Sequence, residues 1–121
     1  MLEIFYPDKE APSAYGIDYK GLYGRGYRGI IFDIDNTLVP HGAPADARAV
    51  DFFAGLRKLG FQTVLLSNNK EPRVQPFGDS VGSRYLCNAG KPGRAGYERA
   101  MELMGTAPES TLFVGDQLFT D

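Results

Sequence analysis

The chain has one cysteine, one histidine, no long apolar run and almost no net charge. Each shortage closes off a class of function. A lone Cys87 excludes an internal disulfide and fits a reducing compartment. The lone His41 follows "LVP" and reads as a loop residue rather than a metal ligand. Lys and Arg number 13 against 15 Asp and Glu, for a formal net charge of −2, so no nucleic-acid partner is expected. No apolar stretch approaches the roughly 20 residues that a bilayer span needs. The first ten residues, "MLEIFYPDKE", carry acids and a proline where a secretory signal needs a basic start and an apolar centre. A cytoplasmic protein is the default expectation. Repeats, linkers and low-complexity segments are absent too.

What is present is an ordinary globular balance, 43% hydrophobic and 23% charged over 121 residues, which predicts one domain. Five of the seven tyrosines fall in residues 1–27: Tyr6, Tyr15, Tyr19, Tyr23 and Tyr27. The last four are spaced by four, as on one helix face. Gly16, Gly21, Gly24 and Gly26 limit any helix there to a short one near Asp18–Gly24. Residues 1–27 therefore read as a tyrosine-rich segment packing on a core domain of residues 28–121.

From residue 28 onward strands and helices alternate. "RGIIFDID" reads as a buried strand. Ala43–Leu59 reads as a helix, with Pro44 in its first turn, a stripe of Ala45, Ala49, Phe52, Leu56 and Leu59, and Gly60 at its end. "FQTVLLS" (61–67) is a second strand, and Pro72 opens a weaker helix that fades by Gly82. "RYLC" (84–87) is a third strand. Pro92 opens a helix with Tyr97, Ala100, Met101 and Met104 on one face, and "TLFVGD" (111–116) is a fourth strand. This alternation predicts an α/β fold with a parallel sheet and helices on both faces.

In such sheets ligands bind beyond the carboxyl ends of the strands. Asp33 and Asp35 follow the first strand of that series; Ser67, Asn68 and Asn69 follow the second; Asn88 and Lys91 follow the third; Asp116 and then Asp121 follow the fourth. Any one polar residue is commonplace where a chain turns into water. Two acids closing a buried strand are less so, and polar groups at all four strand ends are less so again. If the first and fourth strands are neighbours, Asp33 and Asp116 lie side by side. Two unit charges about 4 Å apart repel by roughly 4 kcal/mol at an effective dielectric near 20. A hard divalent cation resolves that conflict, and an all-oxygen set with room for water points to Mg²⁺. With Lys91 as a fixed positive charge, the Ser67 hydroxyl and an exposed carboxylate, the set suits a bound phosphoryl group. A carboxylate is also a competent nucleophile toward phosphorus.

"DIDNT" resembles the DxDxT signature of the haloacid dehalogenase (HAD) superfamily. "LLSNN", "KP" at Lys91–Pro92 and "GDQLFTD" resemble its second, third and fourth motifs in order. The wording "FDIDNTLVPHG", "SNNKEPRV" and "FVGDQLFTD" is similar to the cap-less, subfamily IIIA, YqeG-like branch. The resemblance implies a Rossmann-like three-layer α/β/α fold with strand order 4-1-2-3 in this series. It implies a Mg²⁺-dependent phosphatase working through an aspartyl-phosphate. Asp33 would be the nucleophile and Asp35 the general acid, then base. Ser67, Asn68 and Lys91 would hold phosphate oxygens. Asp33, the Asp35 carbonyl and Asp116 would bind the metal, with Thr37 and Asp121 in support.

Chains of that branch continue past the fourth motif with a further strand and helices, whereas this one stops at Asp121. The expectation is a bare edge at Leu112–Val114 that self-associates or costs stability, and weak Mg²⁺ binding. No cap fits between the motifs, so the site is open. That suits a large or surface-presented substrate, either a phosphorylated small molecule or a lipid headgroup such as phosphatidylglycerophosphate. For a lipid, the protein would touch the inner face of the membrane peripherally through its tyrosines with Lys20, Arg25 and Arg28. The alternative is a non-catalytic phosphate-binding or scaffold protein on the same fold, which turnover would separate. A phospho-accepting receiver domain is disfavoured. Its acid pair is adjacent and its phosphorylated Asp follows the third strand, neither of which holds here.

Overall fold

The computed structural model describes residues 1–6, 13–87 and 94–116, with the side chains of Phe5, Tyr6, Ser13 and Asp116 outside the description. Five strands form one parallel sheet: β1 (Leu2–Tyr6), β2 (Gly29–Phe32), β3 (Gln62–Leu66), β4 (Arg84–Leu86) and β5 (Thr111–Asp116), in the order β1-β5-β2-β3-β4. Four helices accompany them: α1 (Tyr19–Gly24), α2 (Ala47–Leu59), α3 (Glu71–Val81) and α4 (Arg94–Met104). The core strands read as continuous apolar runs because both faces are covered. Ile30, Phe32, Leu65, Leu112 and Val114 pack with Leu22, Phe53, Leu56, Val74 and Phe77 on one face. Ile31, Val64, Leu66 and Phe113 pack with Ala100 and Met104 of α4 on the other. This is the Rossmann-like three-layer α/β/α arrangement, with β5-β2-β3-β4 in the expected order.

The bare edge expected at Leu112–Val114 is absent. β1 covers it in parallel, with Leu2 opposite Leu112, Ile4 opposite Val114 and Tyr6 opposite Asp116. The ladder groups of β5 are paired on both sides, so self-association through that edge loses its basis. "LEIFY" carries the β-branched and aromatic residues that suit a strand.

Helix α2 starts at Ala47 and not at Ala43. Asp46 is its N-cap and accepts a hydrogen bond from the Ala49 N–H at 2.9 Å, which satisfies one of the helix's open donors. Ala49, Phe53 and Leu56 are its buried residues, while Ala45, Phe52 and Leu59 are partly buried against the same core. Gly60, at φ 111°, closes the helix in a conformation that side chains disfavour. Phe52 is half-buried and meets Tyr15 and Tyr19 at ring separations of 4.7 and 5.3 Å. Tyr23 packs edge-on to Phe61 at 5.3 Å. Tyr15, Tyr19 and Tyr23 thus lie against α2 and the start of β3. The helix face expected to open at Pro92 is described from Arg94 onward, with Ala100 and Met104 buried.

Phe53 is fully buried, 5.2 Å from Phe32 and 5.6 Å from Phe52 by ring centroid. Phe53→Ala is expected to cost about 3–5 kcal/mol through lost burial and a residual cavity. Urea denaturation would read this as a lower midpoint. A loss under about 1 kcal/mol would contradict the packing of α2 on the sheet.

Candidate active site

The carboxyl ends of β2, β3 and β5 converge on one edge. The Asp33 N–H donates to the Val114 carbonyl at 3.1 Å, so Asp33 continues the pairing of β2 with β5. Phe32 stands opposite Val114, which brings Asp116 to the neighbouring strand end at backbone level. Asp33 is half-buried and Ile34 is buried, so the chain sends alternate residues toward the site and the core. Then it turns. Asn36 has φ 65°, the left-handed conformation that asparagine tolerates, and the Thr37 and Leu38 N–H groups both donate to the Ile34 carbonyl. That turn carries Asp35 off the strand.

Asp35 then lies among donors. Its Oδ1 accepts from the Gly42 N–H at 2.8 Å and from Arg73 Nη2 at 2.7 Å; its Oδ2 accepts from Asn69 Nδ2 at 2.9 Å. Burial would raise its pKa, but the Gly42 and Arg73 hydrogen bonds and the Arg73 and His41 charges outweigh it and hold the carboxyl below its ordinary value. Asp35 is therefore a carboxylate at neutral pH.

Ser67 is buried after β3, and its Oγ accepts from the Asn69 N–H at 3.0 Å, leaving the hydroxyl proton to donate. Asn68 is exposed on the same turn. Thr37 is buried, and its hydroxyl has no hydrogen-bond partner among the described residues. Tyr15 secures the turn from below by donating to the Leu38 carbonyl at 2.7 Å. Burial and the nearby Asp46 push its phenol up to about 12. On the α4 side, burial, then the charges of Glu3 and Asp33, push the Tyr97 phenol up to about 12. Tyr97 therefore stays a neutral neighbour of Asp33.

The structure thus brings Asp33, Asp35, Thr37, Ser67 and Asn68 to one edge, with Asp116 placed there by its backbone. Lys91 and Asp121 lie outside the described residues. Among the described residues, no three His, Cys, Asp or Glu side chains gather as a metal cluster. The donor chemistry still fits a hard cation, because the Asp33 carboxylate and Asp116 close adjacent strands and all the candidate donors are oxygens.

Two partners of Asp35, Gly42 and Arg73, were not singled out by sequence, and Tyr97 was marked only as part of a helix face. Arg73 lies 38 residues from Asp35, and no local periodicity links them. The available signal was position, since the first turn of a helix that follows β3 must sit at the same sheet edge.

The sequence profile of the haloacid dehalogenase-like hydrolases matches residues 44–121. The chain is 34% identical over 122 residues to the probable phosphatase YqeG of Bacillus subtilis (strain 168), covering 100% of this chain and 71% of that protein. It is 29% identical over 125 residues to the chloroplastic phosphatidylglycerophosphate phosphatase 1 of Chlamydomonas reinhardtii, covering 95% of this chain and 46% of that one. Two solved structures share the fold. One is a HAD family hydrolase from Streptomyces avermitilis MA-4680, with TM-score 0.61, 21% identity, and coverage of 75% of this chain and 61% of that one. The other is a hypothetical protein from Xanthomonas campestris, with TM-score 0.66, 17% identity, and coverage of 93% and 64%. The profile match begins after Thr37, whereas the similarity to YqeG spans the whole chain, Asp33 and Asp35 included.

Proposed function

The chain belongs to the haloacid dehalogenase-like hydrolase family, and from that premise we propose that it is a phosphatase that hydrolyses a phosphomonoester through an aspartyl-phosphate on Asp33. The observation that carries this reading is the pair of unlike environments around two neighbouring acids. Asp33 is half-buried at a strand end, beside the neutral Tyr97. Asp35 is held on both oxygens by Gly42, Asn69 and Arg73. Two carboxyl groups in different surroundings take different roles.

The chemistry follows from those positions. An Asp33 oxygen attacks phosphorus in line with the leaving oxygen, the P–O bond to the alcohol breaks, and the phosphoryl group is left on Asp33. Asp35 rests as a carboxylate; it takes the proton of a phosphate monoanion as the substrate binds and gives that proton to the departing oxygen. As a carboxylate it then takes a proton from the water that attacks the aspartyl-phosphate, releasing inorganic phosphate and restoring Asp33. Ser67 donates its hydroxyl proton to a phosphate oxygen, and Asn68 and Lys91 join it there. Asp33, the Asp35 carbonyl and Asp116 would hold Mg²⁺, with Asp121 in support. When bound, that ion offsets the negative charge shared by the carboxylates and the phosphate.

The substrate we propose is a lipid phosphate such as phosphatidylglycerophosphate. The name of the Chlamydomonas relative supports this class. So does the connection between β2 and α2, a loop of residues 33–46 with no cap inserted. No helix among the described residues is long and apolar enough to cross a membrane, so contact with a lipid surface would be peripheral.

Excess EDTA is expected to remove turnover of an aryl phosphate, and added Mg²⁺ to restore it. Full activity in EDTA would contradict a metal-dependent reaction. Phosphatidylglycerophosphate in mixed micelles should be hydrolysed with higher kcat/KM than a nucleotide or sugar phosphate. Equal or lower kcat/KM for the lipid would contradict that substrate class.

A further inference from the structure

We propose that Arg73 and Asn69 are positioning residues of this reaction: they fix the plane of the Asp35 carboxylate and thereby set the rate of the steps in which Asp35 moves a proton. The inference rests on the reading that Asp35 exchanges protons with the leaving oxygen and with water. It assigns work to two residues on a different part of the chain, neither of which needs to touch the substrate.

A carboxylate turns easily about its last torsion, whose preference is broad and two-fold. One hydrogen bond leaves that rotation open. Here Oδ1 takes two donors, from Gly42 at 2.8 Å and Arg73 at 2.7 Å, while Oδ2 takes Asn69 at 2.9 Å. Donors on both oxygens lock the plane. They also come from three separate places: the loop after β2, the turn after β3 and the first turn of α3. Two of them are themselves held. The Asn69 N–H donates to Ser67 Oγ, which ties the Asp35 contact to the phosphate-side hydroxyl. The Arg73 N–H donates to the Lys70 carbonyl, and its guanidinium lies 5.7 Å from the centre of the Phe77 ring. The ion pair is mostly covered, with 20% of the Arg73 side chain and 15% of the Asp35 side chain exposed. It is therefore screened less than a surface pair. A planar fork cannot be replaced by the point charge of lysine without losing direction.

A merely structural bridge between α3 and the loop predicts a different outcome from a positioning role, and kinetics separate them. The probes are 4-nitrophenyl phosphate, whose leaving group departs without a proton, and a simple alkyl phosphate, whose leaving group needs one. In Arg73→Ala, the first step with the nitrophenyl ester should stay fast while dephosphorylation slows. The expected result is a burst of nitrophenolate close to one equivalent, followed by a steady state roughly 10–100-fold below wild type. The alkyl ester should show no burst, a fall of the same size or larger, and a KM within about threefold. Asn69→Ala should show the same pattern more weakly, and Arg73→Lys should recover only part of the rate. A uniform loss for both esters without a burst, or unchanged rates, would overturn the proposal.

Circular dichroism and a melting curve establish that each variant is folded. If Arg73→Ala does not fold, Arg73→Lys and Asn69→Ala are read against the same two outcomes. Absence of turnover in the wild type would overturn the phosphatase reading itself. The link is then read from a double-mutant cycle of Asp35→Asn with Arg73→Ala on the melting temperature. Non-additive shifts uphold the clamp, and additive shifts overturn it.

Discussion

Asp33→Asn is expected to lower phosphomonoester turnover by at least about 10⁴-fold, because it removes the only group assigned to form the covalent bond to phosphorus. The amide is nearly the same size, so the strand end and its Val114 hydrogen bond should persist. Stability should hold, because the amide keeps the backbone pairing of β2 with β5. A dead enzyme with an unchanged melting temperature would separate chemistry from folding. Kinetics with an aryl phosphate and a thermal melt of the same sample check both halves.

Asp35→Asn should act differently. It leaves the nucleophile in place and removes the proton donor and base, an effect typically of 10²–10⁴-fold. Alkyl phosphates should suffer most at the first step. With a good leaving group, the aspartyl-phosphate should still form and then persist, because water is no longer activated. This variant also breaks the ion pair with Arg73. The pH dependence of stability follows from the depressed carboxyl of Asp35. A depressed carboxyl stabilises the fold above its unfolded value, and that contribution is lost as pH falls through the lower folded value. Wild type should therefore exceed Asp35→Asn in stability at neutral pH, and the gap should close in acid. A gap that widens in acid would contradict the clamp.

Sequence disclosed the parts that depend on local pattern. The buried run before Asp33 and the alternation of strands with helices each leave a signature within a few residues. The strand-end rule then gathered Asp33, Asp35, Ser67 and Asn68 without any knowledge of contacts. What it missed depends on distant pairing. The partner of "LEIFY" is Leu112–Asp116, at the other end of the chain, and nothing local marks Leu2–Tyr6 as the strand that covers that edge. Pro44 suits a first helical turn, but the Asp46 side chain caps the Ala49 N–H, so α2 starts at Ala47 and not at Ala43. Arg73 reads locally as one charge on the first turn of α3, and only the folded sheet edge brings it to Asp35.

Intact-mass measurement on Asp35→Asn, quenched in acid seconds after mixing with 4-nitrophenyl phosphate and Mg²⁺, bears most directly on the role of Asp33. The protein should gain the mass of one phosphoryl group, and fragmentation should place it on Asp33. The double variant Asp33→Asn, Asp35→Asn should gain nothing. No added mass in Asp35→Asn while the wild type turns over, or a phosphoryl group on any residue other than Asp33, would contradict catalysis through an Asp33 aspartyl-phosphate.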